Sequence, residues 1–209
     1  FEIQPDYDLN LMRAGQDLYD VTAGALLGLR DVLKDFRPDL ILVHGDTTTT
    51  LSASLAAFYQ QIPVGHVEAG LRTGNMYSPW PEEANRVLTG RLAALHFAPT
   101  ERNQKALLHE DISLEKIKIT GNTVIDALQW VVKKIENSSE MKISIRSILE
   151  QAGLKDTIID KRYVLITGHR RENFGEGFEN ICKALSSLAK VNPKTHFIYP
   201  VHLNPNVQE

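Results

Sequence analysis

The chain has 209 residues, of which 43% are hydrophobic and 23% charged, enough to bury the core of one or two ordinary domains. Its 23 basic and 26 acidic residues leave a net charge of −3, which argues against a general nucleic-acid binder. The chain has a single cysteine, Cys182, and no apolar run near the roughly 20 residues of a membrane span. Its first residues do not resemble a signal peptide. These features favour a soluble cytoplasmic protein.

Short apolar runs alternate along the chain with segments of helical period. The predicted strands are Asp39–His44, Ile62–Val67, Leu95–Ala98, Lys116–Thr120, Tyr163–Thr167 and His196–Val201. The predicted helices with clear limits are Leu11–Phe36, Thr47–Gln60, Pro81–Leu95 and Phe178–Lys190. Such alternation predicts βαβ units, parallel sheets and a Rossmann-like α/β fold.

The most polar stretch of the chain, Lys133–Arg162, is the best candidate for a linker. We therefore expect an N-terminal Rossmann-like domain over residues 1–135 that lacks its first βα elements. A linker or helical connection would follow over residues 136–162, and residues 163–209 would begin a second, incomplete Rossmann-like domain. An opening on a helix and an end just after a strand indicate a piece of a longer protein.

Polar clusters follow several predicted strands, where ligands of open parallel sheets bind. These clusters are His44–Thr50, His66–Arg72 and Gly168–Asn173, and Pro79–Glu83 opens a helix. Carboxylates and an imidazole suit proton transfer, while Arg170 and Arg171 suit a phosphorylated group. The spacing for a metal site, a Walker A loop or a complete dinucleotide fingerprint does not occur, so no metal or cofactor is expected.

Each cluster also has an ordinary structural interpretation. Asp46 or Thr47 could cap the helix that follows, and Glu68 could pair with Arg72. Glu82 could pair with Arg86, or Glu82 and Glu83 could complement the dipole of their helix. His169 could lie in a solvated basic loop. Four further histidines lie in or beside apolar strands, where a hydrogen-bonded core histidine is expected: His44, His66, His96 and His202. The residues alone indicate an α/β protein with acid–base groups and a phosphorylated ligand in a crevice.

Five segments, in order, closely resemble the bacterial non-hydrolysing UDP-N-acetylglucosamine 2-epimerases. They are residues 43–75 (with HGDTTTT and HVEAGLRTG), 77–87 (with SPWPEEANR), 120–128 (TGNTVIDAL), 167–174 (with TGHRREN) and 199–207 (with PVHLNPNV). The resemblance implies a two-domain, glycosyltransferase-B-like architecture and a homodimer. It also implies reversible conversion of UDP-GlcNAc into UDP-ManNAc, a precursor of bacterial surface polysaccharides, without metal or cofactor.

The resemblance also implies roles for particular residues. Asp46, Glu68 and Glu82 match the family's acid–base residues, and the first two also match substrate contacts. His169 matches a catalytic residue that contacts the nucleotide sugar, and the adjacent Arg170 and Arg171 would bind the same ligand. The family reaction eliminates UDP, passes through 2-acetamidoglucal and adds UDP back.

Two family segments, a GTRPE-like loop and a DSGGxxEE-like run, do not occur in these 209 residues. We therefore expect a chain that keeps acid–base residues but lacks much of the nucleotide pocket. The alternatives are a hydrolysing 2-epimerase that releases UDP and ManNAc, a glycosyltransferase of the same architecture, and an inactive nucleotide-sugar-binding module. The predicted helix Leu11–Phe36 is a candidate dimer interface, and His202 with the arginines near His169 is a candidate allosteric segment.

Overall fold

The chain folds into two parallel sheets and their connecting helices. The structure is a computed structural model that describes residues 1–154, 161–167 and 176–201. The strands are β1 (Ile41–His44), β2 (Val64–Val67), β3 (Leu95–Ala98), β4 (Ile117–Ile119), β5 (Tyr163–Leu165) and β6 (His196–Ile198). The helices are α1 (Leu18–Asp35), α2 (Thr48–Tyr59), α3 (Glu82–Leu92), α4 (Glu101–His109), α5 (Thr123–Glu136), α6 (Ser139–Gln151) and α7 (Glu176–Val191), with a 3-10 turn at Leu114–Lys116. The predicted α/β class with parallel sheets is confirmed.

The first sheet has the strand order β1-β2-β3-β4, and every neighbouring pair is parallel. Helices α2, α3 and α4 connect its successive strands. The register pairs His44 with Val67, and Val67 with Phe97. The carboxyl ends of β1, β2 and β3 therefore lie along one edge of this sheet, which we call the carboxyl edge. The second sheet pairs β5 with β6, also in parallel.

The first helix begins seven residues later than predicted, at Leu18 rather than Leu11. The apolar spacing continues upstream, but capping groups define the start: Asp20 N donates to Asp17 Oδ1 at 3.0 Å, and Asp17 N donates to Asp20 Oδ2 at 3.1 Å. This reciprocal capping box satisfies free N–H groups of the first turn. Upstream, Gln16 Nε2 donates instead to the carbonyl oxygen of Leu11 at 2.7 Å.

Several predicted elements are too long at their ends. The second strand begins at Val64 rather than Ile62, because Pro63 has no N–H and Ile62 N donates to Ala57 O at 3.0 Å, which closes the end of α2. Helix α3 ends at Leu92 instead of Leu95, since residue 95 already starts β3. The predicted connection over residues 136–162 contains α6.

Two apolar clusters form the core of the first sheet and its helices. We call the larger one the α1–α2 cluster; it comprises Leu33, Val43, Ala56, Ala57, Ile62 and Val64. The smaller one joins α4 to the ends of β3 and β4 and comprises Ala69, Ala98, Leu107 and Ile117. The hydrophobic effect holds the helices on the sheet in both clusters, whereas Leu42 of β1 remains 64% exposed.

The chain divides into two compact units, residues 1–128 and 129–209. The first contains β1 to β4 and both apolar clusters. In the second, none of the residues that the structure describes is fully buried. Within the described ranges, no helix combines the length and the apolar composition that crossing a bilayer requires.

Candidate active site at the carboxyl edge

Asp46 lies in the tight turn that follows β1. The turn needs Gly45, whose φ of +72° lies in the left-handed region. Gly45 N donates to Val67 O at 3.0 Å, and the Gly45 carbonyl oxygen accepts from His66 Nε2 at 2.7 Å. Both bonds are made with residues of β2, so the turn that presents Asp46 is fixed to the adjacent strand.

The cap of α2 is Thr47 and not Asp46. Thr50 N donates to Thr47 Oγ1 at 3.3 Å, while Thr50 Oγ1 donates to the His44 carbonyl oxygen at 2.7 Å. The Asp46 carboxylate turns to α3 instead, where its Oδ2 lies 3.4 Å from Arg86 Nη1. The capping alternative therefore holds for Thr47 alone, and Asp46 is available for a site.

Glu68 follows β2 directly, with a φ of +67°. A left-handed backbone is uncommon for a non-glycine residue and is often found at functional sites. Its Oε2 lies 3.5 Å from the position that a Cβ on Gly45 would occupy. The carboxylate of Glu68 thus lies against the turn that carries Asp46. The ordinary alternative for Glu68, an ion pair with Arg72, is not what the structure has, because Arg72 binds Glu110 through two contacts of 2.6 and 3.0 Å.

The turn after Glu68 packs tightly on α4. Gly70 has a φ of +88°, and a Cβ added there would collide with the backbone carbonyl of Asn103. Asn103 Nδ2 in turn donates to Gly70 O at 3.2 Å. Glycine is required at this position for close backbone approach, and the contact with α4 fixes where the Glu68 turn lies.

Helix α3 begins with two glutamates that have different surroundings. Glu82 is half-buried, whereas Glu83 is only 1% exposed. Glu83 Oε1 accepts from the backbone N–H groups of Thr73 and Gly74 at 2.9 Å each, and its Oε2 lies 2.9 Å from Arg86 Nε. The ordinary alternative, an ion pair of Glu82 with Arg86, is therefore not what the structure has, since Arg86 contacts Glu83 and Asp46 instead.

One guanidinium therefore joins α3 to the end of β1. We call Asp46, Glu83 and Arg86 the Arg86 network. The Arg86 side chain is 9% exposed and bridges both carboxylates, and Asn85 Nδ2 adds a bond of 2.9 Å to the Asp46 carbonyl oxygen. Glu82 lies one helical turn from Arg86, on the same side of α3. The geometry gathers Asp46, Glu68 and the first turn of α3 at one edge.

Two buried histidines lie next to each other in the interior of the sheet. His66 and His96 are register partners on β2 and β3, and each is 1% exposed. Burial lowers the pKa of His66, and burial together with the nearby His66 lowers the pKa of His96 to about 4. Both are neutral core histidines near neutral pH, as predicted. His66 Nε2 carries the proton, because its partner, a carbonyl oxygen, can only accept.

The other two histidines predicted for the core differ. His44 is exposed, and its Nε2 lies 3.2 Å from Thr123 Oγ1 at the start of α5. The prediction for His44 is wrong because its strand, β1, is covered less completely than β2 on the described chain. His202 lies outside the described residues.

The chain is similar in sequence to a known protein family. A family model described as UDP-N-acetylglucosamine 2-epimerase matches residues 1–209. The chain belongs to the UDP-N-acetylglucosamine 2-epimerase family. The family predicted from the five sequence segments is thereby confirmed.

Relatives and solved structures agree with the family assignment. All 209 residues of the chain align with UDP-N-acetylglucosamine 2-epimerase of Yersinia pestis at 58% identity. They also align with a probable UDP-N-acetylglucosamine 2-epimerase of Ralstonia nicotianae at 56% identity, and the match covers 54% of each relative. The chain thus spans about half the length of these curated relatives. The crystal structure of the Neisseria meningitidis UDP-GlcNAc 2-epimerase bound to UDP-GlcNAc is similar, with a TM-score of 0.87 and 54% identity over 99% of this chain and 54% of that one. This likeness confirms the glycosyltransferase-B-like fold class.

The structure of this 2-epimerase family member describes some of the predicted site residues and not others. Asp46 and Glu68 come together at the carboxyl edge, with Glu82 at the start of α3. His169, Arg170 and Arg171 lie outside the described residues, so their predicted roles remain predictions. Arg86 and the buried Glu83 were not predicted as site residues. Their i,i+3 spacing pairs opposite charges on one helix, but the i,i+4 spacing of Glu82 and Arg86 does the same, so the sequence offers no signal that selects Glu83.

Proposed function

We propose that this chain supplies the acid–base groups of a non-hydrolysing UDP-GlcNAc 2-epimerase. One observation carries the proposal: the Arg86 network brings Asp46 to the first turn of α3, where Glu82 lies, while Glu68 lies against the Asp46 turn. The substrate class is supported by the similar Neisseria meningitidis enzyme, whose structure was solved with UDP-GlcNAc bound.

The chemistry explains why several carboxylates are needed. The C2 proton of the sugar is not acidic, because no carbonyl group at C1 can stabilise a carbanion. Breaking the C1–O bond sends its electron pair to the departing UDP and leaves positive character at C1, which acidifies the C2–H bond. A carboxylate then removes that proton, and the product is 2-acetamidoglucal beside UDP.

The reverse steps produce the epimer. A proton returns to C2 from the opposite face, and the UDP oxygen adds back to C1, so that UDP-ManNAc forms. Asp46, Glu68 and Glu82 can supply carboxylates for removal and return of the proton. His169, Arg170 and Arg171 are proposed to stabilise the departing UDP, a type of contribution that is often the largest single one in such sites.

Proton NMR in D₂O tests the proposal directly. A chain of full family length that carries these 209 residues is incubated with UDP-GlcNAc. We expect UDP-ManNAc with deuterium at C2. Free ManNAc with UDP would contradict the proposal in favour of hydrolysis, and an unchanged spectrum despite UDP-GlcNAc binding would favour a binding module.

Matched variants assign the chemistry to the carboxyl edge. We expect Glu68→Gln to lower the rate of deuterium incorporation by about 10²–10⁴-fold, the usual contribution of a general acid or base. Glu101→Gln, an exposed glutamate on α4, is the control and should keep the parental rate. Equal rates in the two variants would exclude Glu68 from proton transfer.

Further parts of the proposal concern organisation. We propose a homodimer that supplies surface-polysaccharide precursors in the cytoplasm. We also propose two Rossmann-like domains over residues 1–135 and 163–209, joined by residues 136–162.

Exposed apolar side chains on α1, such as Tyr19 and Leu27, support α1 as the interface of the homodimer. The exposed free Cys182 fits a reducing compartment. Sedimentation of the protein tests the homodimer, since a monomer at micromolar concentration would contradict it.

A further inference from the structure

We infer that Glu83 is a positioning residue that holds the Arg86 guanidinium against Asp46 and so orients the Asp46 carboxylate for the reaction. This inference rests on the proposed function. Glu83 is not open to a ligand at the carboxyl edge, since its side chain is 2% exposed and its contacts are internal. It acts through Arg86.

The partners of Glu83 fix its carboxylate in one orientation. Oε1 accepts two backbone N–H groups, those of Thr73 and Gly74, at 2.9 Å each. The second oxygen, Oε2, is thereby left to face Arg86 Nε at 2.9 Å. Rotation of this carboxylate would break the two charge-assisted hydrogen bonds at Oε1 and the ion-pair contact at Oε2.

The orientation passes from Glu83 to Asp46 through a rigid group. The guanidinium of Arg86 is planar, so holding its Nε sets the direction of its Nη1. That nitrogen lies 3.4 Å from Asp46 Oδ2. Because the side chains of Glu83 and Arg86 are both nearly buried, solvent and salt screen their attraction only weakly.

A purely structural role for Glu83 would be to anchor the turn at residues 73 and 74, and one substitution separates the two roles. In Glu83→Gln, the amide oxygen can still accept from Thr73 N and Gly74 N. The amide nitrogen would then face Arg86 Nε, and two donors cannot bond to each other. The variant therefore keeps the turn contacts and loses the contact that orients Arg86.

A double-mutant cycle on turnover tests the inference in a chain of full family length that carries these residues. We expect Glu83→Gln to lower kcat about 100-fold, the scale of a small misplacement of a reacting group, with KM changed by less than about threefold. In an Arg86→Gln background, the same substitution should change kcat by less than about threefold, because its intermediary is gone. An equal loss of kcat in both backgrounds, or a raised KM at unchanged kcat, would overturn the inference.

A second variant serves if Glu83→Gln does not fold. Arg86→Lys keeps the charge, but an ammonium group lacks the planar fork that reaches both carboxylates. We expect it to lower kcat by at least about tenfold while Thr73 and Gly74 amides keep their protection from hydrogen exchange. Parental kcat in Arg86→Lys would contradict a positioning role for the network.

A measurement without turnover separates this inference from the proposed function. If the parent protein does not epimerise UDP-GlcNAc, the proposed function fails, and NMR of the Arg86 Nε–H group still decides whether Glu83 holds Arg86. We expect its exchange with solvent to be at least about tenfold faster in Glu83→Gln than in the parent. The exposed Arg30 is the control, and unchanged exchange at Arg86 would overturn the inference.

Discussion

The carboxyl edge and the α1–α2 cluster are both parts of the first sheet, yet different forces hold them. The cluster is apolar throughout, from Leu33 on α1 to Val64 on β2. The edge instead buries charged groups, with Glu83 and Arg86 among them. A buried ion pair gains little net stability once its desolvation is counted, whereas apolar burial is the main stabilising contribution to folding. The comparison indicates that the cluster stabilises the fold and that the edge orients side chains.

The largest expected effect comes from removing the nearer of the two carboxylates that contact the buried Arg86. Glu83→Ala would leave Arg86 buried and two N–H groups unsatisfied, so we expect the free energy of unfolding to fall by about 3–5 kcal/mol. Glu82→Ala, one residue away but half-buried, should change it by no more than about 0.5–1 kcal/mol. Urea denaturation measures both. Similar losses in the two variants would contradict the larger contribution to stability that we expect of the buried Glu83.

The next largest effect is expected in the apolar cluster. Leu33→Ala removes a side chain that is 5% exposed and should cost about 2–4 kcal/mol. Leu27→Ala on the same helix, at 54% exposure, should cost less than about 1 kcal/mol. We expect the loss at Leu33 to be the same in low and high salt, because no charge is involved. A strong salt dependence would contradict the comparison.

The pH dependence of stability should come from the two buried histidines in the interior of the first sheet, His66 and His96. Because burial lowers the pKa of His96 to about 4, the folded protein holds it neutral, while the unfolded chain takes up a proton near the ordinary value of 6.5. Acid therefore favours the unfolded chain: stability is complete above about pH 6.5 and is lost as the pH falls toward 4, by about 2 kcal/mol at pH 5.

The variant that checks this pH dependence is His96→Gln, which removes the titrating group. Urea denaturation between pH 7.5 and pH 5 should give a flatter profile for it than for the parent protein. Exposed His109 supplies the matched control, as His109→Gln should keep the parental slope. An unaltered slope in His96→Gln would mean that another group causes the acid sensitivity.

The smallest effect expected is the loss of a helix cap beside the site. Thr47→Ala removes the oxygen that accepts from Thr50 N and should cost about 1 kcal/mol. Thr49→Ala, two residues along on an exposed face, should be within about 0.5 kcal/mol of the parent. The pair shows whether Thr47 contributes as a cap, and a larger loss at Thr49 would contradict that assignment.

The parallel α/β fold was predictable because its signals are local. Strand β3 has the predicted limits, since Leu95 to Ala98 is a short apolar run after a helix. The start of α1 was not predicted correctly, because the capping box of Asp17 and Asp20 outweighs the apolar spacing that continues to Leu11. Helical period shows which residues can face a core, whereas caps decide where the helix begins.

The residues at strand ends were predictable, but their partners were not. Asp46 and Glu68 follow β1 and β2, so topology alone placed both at the carboxyl edge. The choice of Glu83 over Glu82 as the partner of Arg86 depends on the side of α3 that faces the turn at Thr73 and Gly74. Spacings of three and four residues both bring side chains together on a helix, so the sequence could not distinguish them.

The succession of roles along the first turns of α3 has a consequence for insertions and deletions. Glu82, Glu83, Asn85 and Arg86 occupy one and a half turns, and each residue of an α-helix is rotated by about 100° from the last. One residue added after Glu82 would turn that glutamate away from Arg86 by about this angle, while Glu83 and Arg86 kept their pairing. Surface loops commonly tolerate changes of length, so α3 should be among the segments of this family in which sequence length varies least.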